Sequence, residues 1–189
     1  MEAFLVSTGL VALAEMGDKT QLLSLVLAVR FRRPWPIVLG ILIATVANHA
    51  LAAAVGGWLN ELVGPQRLRI AVGMGFLAMA AWTLIPDKLD DAPRDHFGVF
   101  ATTCIAFFLA EMGDKTQVAT VALAVKYAAP VTVVAGTTLG MLIADVPAVF
   151  LGEKLAARIN MKLVHGVAAA IFAALGVATL LGAGASIGL

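Results

Sequence analysis

Glu15, Asp18 and Lys19 stand close together in the chain, and Glu111, Asp114 and Lys115 repeat the arrangement 96 residues later (111 minus 15). Both trios belong to one octapeptide, AEMGDKTQ, found at Ala14–Gln21 and again, letter for letter, at Ala110–Gln117. On a continuous helix the two acids of a copy are i,i+3 neighbours and the lysine is i+4 from the glutamate, so all three share a face. Four carboxylates and two ammonium groups sum to −2, the charge that one divalent cation neutralises. Carboxylate oxygens, the amide oxygens of Gln21 and Gln117 and the hydroxyls of Thr20 and Thr116 are hard donors. They suit Mn2+, Ca2+ or Mg2+, whereas zinc or copper would call for His or Cys. Once the cation leaves, the clustered carboxylates repel one another, and protons are the natural replacement. That chemistry is metal/proton exchange.

The surroundings of the motif are apolar. The chain of 189 residues is 61% hydrophobic and 13% charged, with a mean hydropathy of +0.96, far from the balance of soluble domains. An integral membrane protein is expected. Glu15 lies about 12 residues into its apolar run, which at about 1.5 Å per residue puts it roughly 18 Å deep, near mid-bilayer. A charge there costs at least about 2.5–3.5 kcal/mol, so these groups must face an internal cavity and find partners. The plainer reading is a pair of intrahelical ion pairs, Glu15–Lys19 and Glu111–Lys115, that only hold the fold. It leaves Asp18 and Asp114 uncompensated and gives the neighbouring Thr and Gln residues no task. Gly17 and Gly113 permit either a close helix approach or a local break that frees backbone carbonyls. Met16 and Met112 read as apolar filler.

Six apolar segments position these residues, at about 3–29, 36–59, 68–85, 98–125, 131–151 and 163–183. The stretches between them carry charge, and most carry Gly or Pro, as helix ends do. The N-terminal segment lacks a basic leader and is expected to remain as the first span. The repeat extends beyond the octapeptide: at offset 96 Pro34 matches Pro130, Gly40 matches Gly136 and Gly56 matches Gly152, and offset 95 aligns Leu68 with Leu163. Residues 1–85 and 98–189 thus read as two three-helix units, each with one motif (15–20 and 111–116), joined by an acidic linker at 86–97. An odd number of spans inverts the second unit, so the expected fold is all-α, with six transmembrane helices in two inverted three-helix repeats. Loops 1–2, 3–4 and 5–6 hold Arg30, Arg32, Arg33, Lys88, Arg94, Lys154, Arg158 and Lys162, against Arg67, Arg69 and Lys126 in loops 2–3 and 4–5. This bias places the linker in the cytoplasm and both termini outside, in a bacterial-type inner membrane.

The second helix of each unit is also polar at depth. Asn48 and His49 lie in one and Asp145 in the other; offset 96 pairs His49 with Asp145, and a one-residue slip pairs Asn48 with it. Asp145 is a candidate fifth carboxylate or proton relay, or else a cap on a helix kinked at Pro147. His49 is a candidate proton shuttle, with a hydrogen-bonded packing histidine as the plainer reading. Gly40-x-x-x-Ala44 and Gly136-x-x-x-Gly140 are small-xxx-small patterns that let these helices approach the motif helices; a homodimer contact is their other use. Trp35 and Trp58 read as interfacial anchors. Cys104 reads as packing, and His96 and His165, at membrane edges, are assigned no task.

The doubled pattern EMGDKT, at Glu15–Thr20 and Glu111–Thr116, resembles the GDT-type cation/proton exchanger family. That family includes bacterial manganese exporters of the MneA kind and Golgi and chloroplast manganese/calcium transporters. The resemblance covers essentially the whole chain. It implies antiport, with Glu15, Asp18, Glu111 and Asp114 as ligands and manganese as the exported ion. Oxygen ligands alone do not separate Mn2+ from Ca2+, so a Ca2+/H+ exchanger is the alternative, with an amino-acid exporter of the lysine type further off. A membrane scaffold with purely structural acid–lysine pairs is the reading from another class. No enzyme activity and no cofactor beyond the transported ion are expected. The partners are the cation, the proton and the lipid bilayer; a net charge of +1 carries no polybasic signature for nucleic acid.

Overall fold

The computed structural model describes residues 1–85, 97–151 and 161–182. Among these residues the chain is all-helical, without strands: α1 (Glu2–Glu15), α2 (Lys19–Phe31), α3 (Pro34–Leu62), α4 (Pro65–Thr83), α5 (Val99–Glu111), α6 (Lys115–Tyr127), α7 (Pro130–Leu151) and α8 (Met161–Leu180). The expected linker, save Phe97, and the stretch 152–160 with Gly152, Lys154 and Arg158 lie outside the described residues.

Among the described residues eight helices stand where six apolar segments were expected, because each motif segment is broken in two. The break falls at Met16–Asp18 between α1 and α2 and at Met112–Asp114 between α5 and α6. Gly17 and Gly113 take positive φ, +81° and +79°, a conformation that suits a residue without Cβ. Proline opens α3, α4 and α7, where its missing N–H costs nothing. Among the described residues three helices are long and apolar enough to cross a membrane: Pro34–Leu62, Pro130–Leu151 and Lys162–Leu180. The broken helices are too short for this individually. Trp35 and Trp58, both exposed, stand near opposite ends of α3, about 35 Å apart by helical rise, as interfacial anchors should.

The motif helices pack on the opposite half. α3 lies on α5, and α7 lies on α1. A Cβ on Gly40 would stand 2.7 Å from Thr103 Cβ, and one on Gly136 would stand 2.7 Å from the Phe4 carbonyl and 2.9 Å from Ser7 Cβ. Offset 96 relates all of these contacts, since Gly136, Phe4 and Ser7 correspond to Gly40, Phe100 and Thr103. The small-residue patterns therefore bring α3 and α7 against motif helices, each against that of the other repeat. α4 and α8 pack together, with the Phe76 and Phe172 rings 6.3 Å apart. Exposed Leu39, Ile43, Val46, Leu51 and Val55 run along α3; this apolar outer surface is what a lipid-facing helix presents.

Candidate metal centre

The two breaks have the same construction. Asp18 and Asp114 start α2 and α6 in extended backbone (φ −81°, ψ 172° and φ −79°, ψ 167°). Their amides donate back to the Glu15 and Glu111 carbonyls, each at 3.0 Å. Gln21 Oε1 accepts from the Gly17 amide at 2.9 Å, and Gln117 Oε1 accepts from the Gly113 amide at 2.7 Å. The Thr20 hydroxyl donates to Glu15 Oε2 at 2.5 Å and the Thr116 hydroxyl to Glu111 Oε2 at 2.9 Å. Glutamine thus satisfies an amide orphaned by the break, and threonine aims the glutamate.

Charge pairing crosses between the motifs. Lys19 Nζ lies 3.1 Å from Asp114 Oδ1, and Lys115 Nζ lies 2.7 Å from Asp18 Oδ1. The intrahelical pairs Glu15–Lys19 and Glu111–Lys115, the plainer reading set aside above, are not among the salt bridges of the described residues, because a break separates each glutamate from its lysine. Glu15, Asp18 and Asp114 each bring one carboxylate oxygen within 4.8 Å of the others, and all three are buried. Such spacing suits oxygens that share a cation at about 2.3–2.6 Å each. Glu111, though buried, stands outside this trio. Glu15 Oε1, Glu111 Oε1, Asp114 Oδ2 and Asp145 Oδ2 are buried with no hydrogen-bond partner among the described residues. Buried polar atoms seldom go unpaired, and four carboxylate oxygens in that state leave acceptors for a cation or protons.

A second layer comes from α3 and α7. Gln21 Nε2 donates to the Ala144 carbonyl at 2.8 Å; Gln117 Nε2 donates to Asn48 Oδ1 at 3.1 Å, and Asn48 Nδ2 donates to the Phe108 carbonyl at 2.9 Å. The two glutamines therefore pick out Ala144 and Asn48 as equivalents, which fixes the offset at 96 here and pairs His49 with Asp145. Asp145 lies inside α7, which runs on past Pro147 to Leu151. It is not a helix cap, and Ser24 donates to its Oδ1 at 3.1 Å. The expectation of a hydrogen-bonded packing histidine fails for His49. It is fully buried, yet neither ring nitrogen has a hydrogen-bond partner among the described residues. The equivalent of Ser24 is Thr120, whose hydroxyl is engaged with the Thr116 carbonyl at 2.8 Å.

Sequence reasoning passed over two contributors. Ser24 lies one helical turn beyond Thr20, and that spacing could have marked it. His165, assigned no task above, places Nε2 2.7 Å from the Met16 carbonyl inside the first break. No repeat partner announces it, because offset 95 aligns it with Ile70.

Apolar helices around a buried, doubled acid–lysine centre define a membrane protein built to handle charge in its interior. The chain belongs to the divalent cation/proton antiporter GDT1 family, whose model matches residues 3–91 and 99–186. A Vibrio cholerae protein named "Putative manganese exporter" is 48% identical, over 95% of this chain and 90% of that one. A GDT1-like protein of Synechocystis sp. is 30% identical over 91% of this chain and 93% of its own length. GDT1-like protein 3 of Oryza sativa subsp. indica is 28% identical over 90% of this chain and 71% of its own. No solved structure matches the chain. Family membership supports divalent cation transport, and the family is one of transporters, not enzymes.

Proposed function

We propose that the protein exports manganese in exchange for protons, through one site assembled from both motifs. Two three-helix repeats of opposite membrane orientation carry it, with the linker cytoplasmic and both termini outside. The observation that carries this reading is the crossed pairing Lys19–Asp114 and Lys115–Asp18, which joins the two copies of one motif at one place. Neither repeat holds the site alone.

Glu15, Asp18 and Asp114 are the first ligands of the cation, and Glu111 is the fourth acid, drawn in when the ion binds or holding a proton when it does not. Thr20 and Thr116 orient the glutamates, and Gln21 and Gln117 shape the breaks. Lys19 and Lys115 act as tethered counterions that occupy Asp114 and Asp18 until a divalent ion displaces them. Protons returning to the carboxylates release the ion, because a neutral acid is a poor ligand for a hard cation. Asp145, with Ser24, and His49, with Asn48 beside it, are the ionisable groups that relay those protons.

Manganese is favoured by the name of the Vibrio cholerae relative; the oxygen donors themselves would also accept Ca2+. Purified protein in liposomes, loaded with a metal-sensing dye and given a pH gradient, tests this. Proton-driven Mn2+ flux that Asp18→Asn abolishes is expected. Flux of Ca2+ in preference to Mn2+ would reassign the substrate, and no flux of either would sink the reading.

A further inference from the structure

One polar contact to the motifs comes from outside the repeated set. His165, near the start of α8 and half-buried, meets the Met16 carbonyl at 2.7 Å. A carbonyl only accepts, so Nε2 carries the proton; the neutral tautomer and the imidazolium both satisfy this. Met16 has non-helical backbone (φ −63°, ψ 117°), between Glu15 and Gly17. Its carbonyl therefore stands outside the helical ladder, and such groups need an external partner.

Among the described residues the second repeat shows no counterpart. At offset 95 the place of His165 is taken by Ile70, an aliphatic side chain that cannot donate and is 50% exposed. Met112, the equivalent of Met16, is 55% exposed. The packing differs likewise: α8 lies against α1, whereas α4 lies against α6. Two breaks of matching backbone are thus held unequally.

We propose that His165 is a positioning residue of the transport site: by holding the Met16 carbonyl it fixes the turn that presents Glu15 and Asp18 to Asp114, in the first repeat only. This rests on the reading of that turn as half of the cation site. The anchored first turn then serves as the fixed half of the centre, and the second turn, around Gly113, is the half free to move as the site changes sides.

The test compares His165→Ala with His165→Gln, which keeps an N–H donor, in the full-length protein. Amide deuterium exchange at Gly17 and Asp18 should rise about 3- to 10-fold in His165→Ala, as for one lost hydrogen bond, while Gly113 and Asp114 keep their rates. The KM for Mn2+ flux should rise by a similar factor, with the maximal rate within about twofold. His165→Gln should restore both. If His165→Ala accumulates poorly, His165→Phe keeps the ring's bulk without the donor and carries the same comparison. Unchanged exchange at Gly17, an equal rise at both turns, or a glutamine variant as impaired as alanine would each overturn the proposal. Absence of cation flux in the unaltered protein is a separate failure, that of the proposed function, and exchange at Gly17 still shows whether His165 holds the turn.

Discussion

Lys115 Nζ stands 2.7 Å from Asp18 Oδ1, and both side chains are closed off from solvent. The two residues belong to different copies of one octapeptide, so the aspartate of each copy is paired with the lysine of the other. The second pair, Lys19–Asp114, is longer at 3.1 Å, and its lysine is 23% exposed. These two pairs should therefore differ in what their loss costs.

Lys115→Gln takes the lysine from the buried Asp18 carboxylate, a loss of about 3–5 kcal/mol for a broken buried pair. Lys19→Gln should cost less than this, since Lys19 is already 23% exposed, though its partner Asp114 is buried. Thermal unfolding of the detergent-solubilised protein measures both. Adding Asp18→Asn to Lys115→Gln should recover much of the loss, because the buried charge is then gone. Additive losses would show that the pair does not interact.

Cation binding should stabilise the folded protein. Mn2+ at about 100 times its dissociation constant contributes about 2.7 kcal/mol by mass action, visible as a rise in Tm that a chelator reverses. Asp114→Asn should abolish the rise. An equal rise in that variant would place the ion elsewhere.

Gly140 and Gly113 should resist alanine for different reasons. A Cβ at Gly140 would lie 2.6 Å from the Thr8 carbonyl, so α7 must move off α1; a loss of about 1–3 kcal/mol is expected for such overpacking. At Gly113 nothing lies within 4 Å of the added atom, and only its φ of +79° resists, a strain of about 1–2 kcal/mol. Gly140→Ala should thus lower Tm by loosening the α1–α7 contact, whereas Gly113→Ala should lower Tm through backbone strain and, lying in the second break, lose transport rate as well. A Gly140→Ala protein with unaltered Tm would contradict the close α1–α7 contact.

The helical class, the duplication and the acids that meet at the centre were legible because hydropathy and an exact octapeptide are local signals. The breaks were not: one glycine in an apolar run fits a continuous helix and an interrupted one equally. That ambiguity also hid which lysine pairs with which acid. On a continuous helix Lys19 belongs to Glu15 by i,i+4 spacing, and only the turn at Gly17 sends it to Asp114. Offset 96 found the small residues that pack α3 on α5 and α7 on α1, because close approach needs residues without bulk at matching places. It could not find His165, whose role depends on a backbone carbonyl and therefore leaves no mark on residue type.

The proposed orientation rests on the loop charges. A cysteine at Asp91, in a Cys104→Ala background, should resist impermeant thiol reagents in intact cells and react after permeabilisation, since Arg and Lys favour that side of the membrane. Ready labelling from outside would reverse the orientation while leaving the two-repeat reading intact.

One shared centre and two independent ones make different demands on double variants. Glu15→Gln, Asp18→Asn and Asp114→Asn each keep side-chain size and delete one charge from a trio whose oxygens lie within 4.8 Å of one another. Each should lower Mn2+ flux about 10- to 100-fold, the loss of one charged ligand contact. Glu111→Gln, outside the trio, should act on the proton dependence of flux as well as on its size. If both motifs serve one ion, Asp18→Asn with Asp114→Asn should be scarcely worse than either alone, as for residues that act as a unit. If each motif served its own ion, either single variant would keep about half the flux and only the double would be dead, as independent sites add. Proteoliposome flux normalised to inserted protein separates the two, and half-activity in both single variants would refute the shared centre.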